Sequence, residues 1–583
     1  MDHLPQELVE EITKNLPTDD LKNVLTLSTK FRFAAERYSG AFTEFTLNER
    51  NADKFLGLYS GHRLLYLREL HFRPNFPPIW PPDPWEGETC RENADAIRAK
   101  NECFTRQVHS LFTTLSTVEE NAGHQQASGR YRIQIYDPTR LIHNSVYCPH
   151  QEYISWRIRL LNTELPPVHS VRSLEIRNEC PEDASVYHDS HGYPADYRKC
   201  FDGGSFKLDL GVMVDLASKL PNLEYLGCKT GGFEWAPAFS GNDGSEDPNR
   251  HFQSDWDGPR RDARHNFARA VVSHQAHLPI SLQRASLDFV SPLIRALHTI
   301  QDRPLPNLVD PALRDPFSAS LRILTNNLRQ LRLWAIVDES LFSMDDDSQP
   351  QWPNLEILEV MFHPSRPDGS WYFFGPQGHG REAVGYDITA ASYPPLETTE
   401  LDIDMDQLVT SGHLSDLPNG AQNQFRITPD EARLRPLLAG FSRAAAQMCS
   451  LRRAIIWTSL SWYPEYDYAE SQGWDSEYQG PGPNWAIQYS DQDNGIWGSP
   501  SHHLPSQERN DNPTIRCLVW MVAAWRPDAE LRRLFQNIGR EKHGNDLVEH
   551  WEEGYSQSHY SYLRNWMLDD HWGDPGRIPP SLS

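Results

Sequence analysis

Leu67-Arg68-Glu69-Leu70-His71-Phe72 carries the pattern on which the fold depends, with apolar residues at its first, fourth and sixth positions. Its last three positions alternate apolar, polar and apolar, which is typical of a strand with one buried face. We expect strands wherever the pattern returns. The clear matches are 171–176, 223–228, 282–287, 328–333 and 355–360, and the weaker ones are 398–403, 451–456 and 515–520.

Helix-like stretches stand in front of several of these strands. They cover 212–220, 263–277, 317–326 and 433–448. A helix, a short turn and a strand, repeated, predict parallel strands side by side in one sheet with helices on one side. The alternation places Leu174 and Ile176 towards the helices and Glu175 on the other face. From 67 to 171 the spacing is 171 − 67 = 104, so we expect at least one further unit there.

This pattern resembles degenerate leucine-rich repeats. The resemblance implies an α/β fold for residues 46–583, in the form of an irregular solenoid that serves as a substrate-binding domain. Most of the spacings between clear matches (52, 59, 46 and 27) exceed the usual 20–29 residues. Long polar loop insertions account for the excess, among them 178–204, 229–261 and 363–395. A compact multi-domain α/β protein is the alternative.

The first forty residues follow a different period. Leu4, Leu8, Ile12 and Leu16 recur every four residues, which places them along one face of an α-helix. We expect a second short helix after Thr18 or Asp19 and a third after Ser28. Three helices of this length are marginal alone, so their apolar residues must be shared with something else.

The motif Leu4-Pro5-x-Glu7-Leu8, followed by Ile12, Leu16-Pro17, Asp20-Leu21, Leu25, Ser28 and Phe31-Arg32, resembles the F-box of fungal F-box proteins. The resemblance covers residues 1–45 and implies docking on the Skp-type adaptor of an SCF-type cullin–RING ubiquitin ligase. It also implies which apolar residues contact the adaptor: Leu4, Pro5, Leu8, Ile12, Leu16, Leu21, Leu25 and Phe31. The alternative is a helical hairpin that packs on its own domain.

Charge and composition exclude several classes. Lys plus Arg is 55 and Asp plus Glu is 80, so the net charge is −25, which disfavours binding to nucleic acid and to anionic membranes. The N-terminus lacks the pattern of a signal peptide, and the longest apolar run, 517–525, is too short to cross a bilayer. We expect a soluble protein of the cytoplasm, the nucleus or both.

Motifs for chemistry are missing. The sequence has no Gly-x-Ser-x-Gly, His-Glu-x-x-His or Walker pattern, and we predict no catalytic residue, cofactor or metal. Cys180, His188, His191 and Cys200 could bind zinc, but their spacing matches no common finger. The stretch 457–497 holds ten Trp and Tyr residues; it is either a recognition surface or, as we favour, a cap on one end of the repeats.

Three functions fit the sequence. The first is an F-box receptor that presents an unknown protein substrate for ubiquitination, without catalytic residues of its own. The second is a non-catalytic repeat scaffold capped by its N-terminal helices. The third is an enzyme acting on a carbohydrate with acidic and aromatic residues near 457–497. Co-purification of the adaptor distinguishes the first from the other two.

Overall fold

The structure is a computed structural model. It describes residues 4–79, 93–123, 130–142, 156–161, 164–177, 207–231, 256–291, 299, 301–342, 352–397, 399–400, 423–460, 462, 464, 466–474, 484–491 and 515–551.

One large, mostly parallel sheet organises the described residues. Its twelve strands lie in the order β1-β2-β4-β6-β7-β8-β9-β10-β13-β14-β15-β16, so that neighbours in the sheet also follow each other along the chain. Only β14 runs antiparallel to its neighbours, β13 and β15. Two further pairs, β3 with β5 and β11 with β12, lie outside this sheet. The strands are β1 Glu44–Leu47, β2 Glu69–Phe72, β3 Asn75–Ile79, β4 Tyr131–Tyr136, β5 Thr139–Ile142, β6 Val171–Arg177, β7 Tyr225–Gly231, β8 Arg284–Ser291, β9 Gln330–Ala335, β10 Ile357–Phe362, β11 Phe373–Phe374, β12 Thr428–Pro429, β13 Arg453–Ser459, β14 Asn484–Ser490, β15 Arg516–Met521 and β16 Leu547–Trp551.

Helices precede the sheet and connect many of its strands. In the described residues they are α1 Gln6–Lys14, α2 Thr18–Val24, α3 Thr29–Tyr38, α4 Ala52–Tyr59, α5 Ala94–Ala122, α6 Gly211–Ala217, α7 Asp257–His274, α8 Pro316–Thr325, α9 Glu431–Gln447, α10 Tyr466–Ser471, α11 Ala529–Gln536 and α12 Arg540–His543. No helix among the described residues combines the length and the apolar character that crossing a bilayer requires.

The register of the strands stacks equivalent apolar residues into rows. One row runs from Leu70 across the strands, and a second row from Phe72 lies two residues further along. Side chains in these rows share one face of the sheet because a strand repeats every two residues. Buried residues of α5, α7 and α9, such as Phe104, Phe267 and Leu434, belong to the same apolar cluster. The first row continues through Ile133, Leu174, Leu226, Ala285, Leu331, Leu358 and Ala454.

The predicted α/β class and the mainly parallel sheet are confirmed, with strands that begin up to about two residues later than the pattern. The predicted strand 223–228, for example, is β7, Tyr225–Gly231. The further unit expected between 67 and 171 is present as α5 and β4. Most of the weak candidate 398–403 lies outside the described residues.

Two features of the sheet differ from expectation. Strand β14 runs antiparallel to its neighbours, and Glu175 is buried. We predicted no strand in the region of β14, which is part of the aromatic stretch 457–497, because Gly, Pro and polar residues flank the alternation of Trp485, Ile487 and Tyr489. Glu175 does lie on the face away from the helices, yet it is 3% exposed. Its carboxylate is buried because Arg132 and Arg177 pair with it.

A second apolar cluster covers part of that opposite face. It includes Trp334, Met361 and Trp457 on strands β9, β10 and β13. The predicted loop 363–395 contributes Trp371 to this cluster, and that side chain is 1% exposed. The insertion therefore packs against the sheet.

Candidate docking surface on the N-terminal helices

Helices α1–α3 form a small unit at the start of the chain, and we refer to residues 4–38 as the N-terminal helical module. Pro5 and Pro17 stand directly before α1 and α2, where a missing N–H is tolerated. Ser28 caps α3 by accepting a hydrogen bond from the backbone N–H of Phe31 at 3.3 Å. The buried core of the module is small and consists of Val9, Phe31 and Ala34, with Leu4, Val24 and Tyr38 packed against it.

The orientation of α1 leaves the predicted apolar stripe largely outside. The residues that α1 buries are Val9 and Thr13, which form a parallel stripe one residue further along. Leu8 is consequently 52% exposed and Ile12 is 46% exposed. These two side chains lie on one face because residues four apart stack on a helix.

Further apolar side chains of the module meet water after α2. Leu25 is 37% exposed and Leu27 is 45% exposed. With Leu8 and Ile12 they make up four of the ten large apolar side chains that the described residues leave exposed. We refer to these four residues as the exposed apolar set, and their concentration in so short a segment is typical of an interaction site.

The eight residues predicted to contact an adaptor fall into three groups. Leu8, Ile12, Leu25 and Pro5 are exposed, whereas Leu4 and Leu16 are half-buried. Leu21 and Phe31 are each only 4% exposed. Phe31 belongs to the buried core of the module, so it holds the helices together when no partner is bound.

Sequence reasoning missed Val9 and Leu27. Val9 and Thr13 share the four-residue spacing of the stripe, so a second face was visible in the sequence. The second face was missed because Thr13 is polar and does not look like a core residue. In the structure its hydroxyl donates a hydrogen bond to the carbonyl of Val9 at 2.7 Å. No comparable pattern singles out Leu27.

A buried carboxylate joins the module to the chain before β2. Glu36 on α3 is 5% exposed and accepts hydrogen bonds from Arg63 Nη2 at 2.6 Å and Arg63 Nε at 3.1 Å. Its other contact is His62 Nε2, at 2.7 Å. Burial alone would raise the pKa of Glu36, but the bonds from Arg63 and His62 outweigh it and hold that pKa below its ordinary value. The Tyr66 hydroxyl adds a bond to the carbonyl of Phe33 at 3.0 Å.

The module exposes acidic side chains as well as apolar ones. The exposed apolar set is accompanied by the exposed acids Glu7, Glu11, Asp19 and Asp20. These acids are neighbours in sequence of the exposed apolar set, so a partner that binds there would also meet negative charge.

Among the described residues, one group could share a metal ion. The ligand atoms of Glu44, Glu69 and His71 lie within 4.8 Å of one another on β1 and β2. The three side chains are also close to one another without an ion, since His71 Nε2 is 3.6 Å from Glu44 Oε1 and 3.7 Å from Glu69 Oε2. The four zinc-competent residues between 180 and 200 lie outside the described residues.

The described part of the aromatic stretch 457–497 is mostly interior. Trp457, Trp485 and Tyr489 lie in β13 and β14 and are each 1% exposed. Trp474 is also buried and packs with the rings of Phe425 and Trp462 among others. These residues contribute to the core, and Tyr463, Tyr478 and Trp497 lie outside the described residues.

A scan against models of known protein families gave no match, and a search of curated proteins gave none either.

Proposed function

We propose that the chain is an F-box substrate receptor. Its N-terminal helical module docks on the Skp-type adaptor of an SCF-type ubiquitin ligase, and the rest of the chain presents a protein target. The observation that carries this proposal is the stripe of Leu8 and Ile12, which the burial of Val9 and Thr13 turns towards water.

The magnitudes show what docking requires. Complete burial of a large apolar side chain contributes about 1.5–3 kcal/mol, so a half-exposed one contributes roughly half of that. The exposed apolar set then supplies about 3–6 kcal/mol, against an association cost of about 4–15 kcal/mol. Docking must therefore also use the half-buried Leu4 and Leu16, which extend the stripe at its two ends, and the exposed Pro5.

The sheet supports the second half of the proposal. Strands that are neighbours both in the chain and in the sheet are the arrangement of a leucine-rich-repeat-like solenoid. Such arrays present an extended surface to a protein partner and need no catalytic residue. This function would place the chain in the cytoplasm or the nucleus, and co-purification with the full chain would identify its target.

The test uses the full chain co-expressed with the adaptor. Leu8→Arg places a charge in the centre of the proposed interface, and an unpaired buried charge costs several kcal/mol. Adaptor affinity should fall by at least about 100-fold, since about 1.4 kcal/mol corresponds to a factor of ten. Leu161→Arg is the matched control, because Leu161 is 54% exposed and lies outside the module.

Two results would overturn the proposal. One is a wild-type chain that never retains the adaptor. The other is a Leu8→Arg variant that unfolds the chain, as followed by circular dichroism, since the stripe would then belong to a core and the scaffold alternative would gain.

A further inference from the structure

Lysine is unevenly distributed along this chain. Ten of its 55 cationic residues are lysines, and nine of these stand among the twenty-six cationic residues of positions 1–229. Positions 230–541 also hold twenty-six cationic residues, and all of them are arginines. A preference for arginine throughout the chain would lower the share of lysine in both parts alike. The complete replacement of lysine is therefore a property of residues 230–541, which we refer to as the lysine-free part.

Some arginines of the lysine-free part are required by their surroundings. This part contains much of the sheet, namely strands β8–β10 and β13–β15, with helices α7–α11. Within it, Arg264 Nη2 lies 2.6 Å from Oδ2 of the buried Asp315. Arg332 Nε lies 3.1 Å from Oε2 of the buried Glu359. A planar guanidinium suits such pairs better than an ammonium does, so lysine would be a poor replacement there.

Other arginines of the lysine-free part have no such structural reason. Arg443 on α9 and Arg533 on α11 are exposed, and neither side chain pairs with a carboxylate of the residues that the structure describes. Lysine and arginine have similar helix propensities, and both carry a positive charge at neutral pH. The fold would therefore accept lysine at these two positions. What distinguishes the two residue types there is reactivity, because lysine carries the amine to which ubiquitin is joined.

The exposed lysines stand on either side of the lysine-free part. Lys30 Nζ donates a hydrogen bond to the carbonyl of Leu4 at 2.7 Å, and Lys100 is 4% exposed. Lys199 lies outside the described residues, and the half-buried lysines are Lys207, Lys219 and Lys229. The exposed ones are Lys14, Lys22, Lys54 and Lys542. Three of these four belong to the N-terminal helical module or follow it closely.

We propose that self-ubiquitination of the receptor is confined to these four exposed lysines, and that the lysine-free part leaves ubiquitin to a bound target. The inference rests on the proposed function and concerns its regulation.

The chemistry of transfer explains why arginine protects. A lysine Nζ attacks the carbonyl carbon of the ubiquitin thioester that a conjugating enzyme carries. An isopeptide C–N bond forms, the C–S bond breaks, the cysteine thiolate leaves and the amine loses a proton. The guanidinium of arginine stays protonated and is not such a nucleophile. A thioester beside the lysine-free part therefore reacts with the lysines of the target.

The experiment reconstitutes the ligase from the full chain, the adaptor, the cullin–RING subunits, a conjugating enzyme and ubiquitin, without a target. Mass spectrometry of the digested receptor measures the fraction of each lysine that carries ubiquitin. Arg443→Lys and Arg533→Lys should each create a modified position that carries ubiquitin at least as often as Lys542, because both sites are exposed and keep their charge. Should one variant fail to fold, the other still tests the inference, because the two residues lie on different helices.

Arg443→Gln and Arg533→Gln are the matched controls, because they remove the same arginines without adding an amine. They should leave the wild-type pattern of modification unchanged. Retention of the adaptor is measured in the same samples, which separates two kinds of failure. A wild type that retains no adaptor overturns the proposed function and this inference with it. If the adaptor is retained but neither new lysine carries ubiquitin, docking stands and the protective role of the lysine-free part is wrong.

Discussion

Replacing Glu36 by glutamine should loosen the N-terminal helical module. Removing one partner of a fully buried ion pair costs about 3–5 kcal/mol. Here the side chains of Arg63 and His62 are still 29% and 32% exposed, so water can solvate them after the change. We therefore expect a loss of roughly 2–3 kcal/mol in the local stability of α3.

Hydrogen exchange of the full chain, followed by mass spectrometry, measures this loss where it occurs. Exchange of the α3 amides should become about 30- to 150-fold faster, while the strand amides of the sheet stay unchanged. Glu10→Gln is the control, because the Glu10–Arg37 pair is 3.2 Å long but its side chains are 32% and 43% exposed. An exposed pair contributes about 0–1 kcal/mol, so exchange should rise by about fivefold at most.

Acid should mimic the substitution in the wild type. The folded pKa of Glu36 is lower than its ordinary value of 4.5, so its contribution is complete above pH 4.5 and is lost as the pH falls through the folded pKa. If α3 in the Glu36→Gln variant exchanges no faster than in the Glu10→Gln control, the buried carboxylate does not hold the module in place.

Val9→Ala should destabilise the module by about 1–2 kcal/mol because its side chain is fully buried, whereas Leu8→Ala should change stability by less than about 0.5 kcal/mol; hydrogen exchange of α1 distinguishes them. Leu174→Ala should cost about 2–5 kcal/mol in urea denaturation, and Leu161→Ala, at an exposed leucine, should cost less than about 0.5 kcal/mol. Burial, together with the nearby acids, raises the pKa of Asp338 to about 7 from 3.8, so ionisation of Asp338 destabilises the fold progressively as the pH rises between these values. Asp338→Asn should therefore gain stability relative to the wild type at pH 8 but not at pH 4, as measured by thermal melting at both pH values.

The rows of the sheet were predictable because both of their determinants are local. Alternation over three residues defines a strand, and an apolar residue such as Leu67 or Leu223 just before it marks the entry into the core. Boundaries shifted by about two residues because that first apolar position is buried before the strand pairing begins.

The buried charges could not be predicted in the same way. Glu175 pairs with Arg132, and Glu36 pairs with Arg63; these partners are 43 and 27 residues apart. Single positions in a sequence do not indicate which distant cation will arrive beside them.

The coincidence of chain order and sheet order also has a mechanical consequence. A force applied between β1 and β16 loads these two edge strands of the sheet first, and it acts across the hydrogen-bonded ladders one strand at a time. The hydrogen bonds of each ladder then break one after another, and they do not shear all at once. We expect a stretched molecule to lengthen in a series of small, low-force steps that begin at the two edges of the sheet.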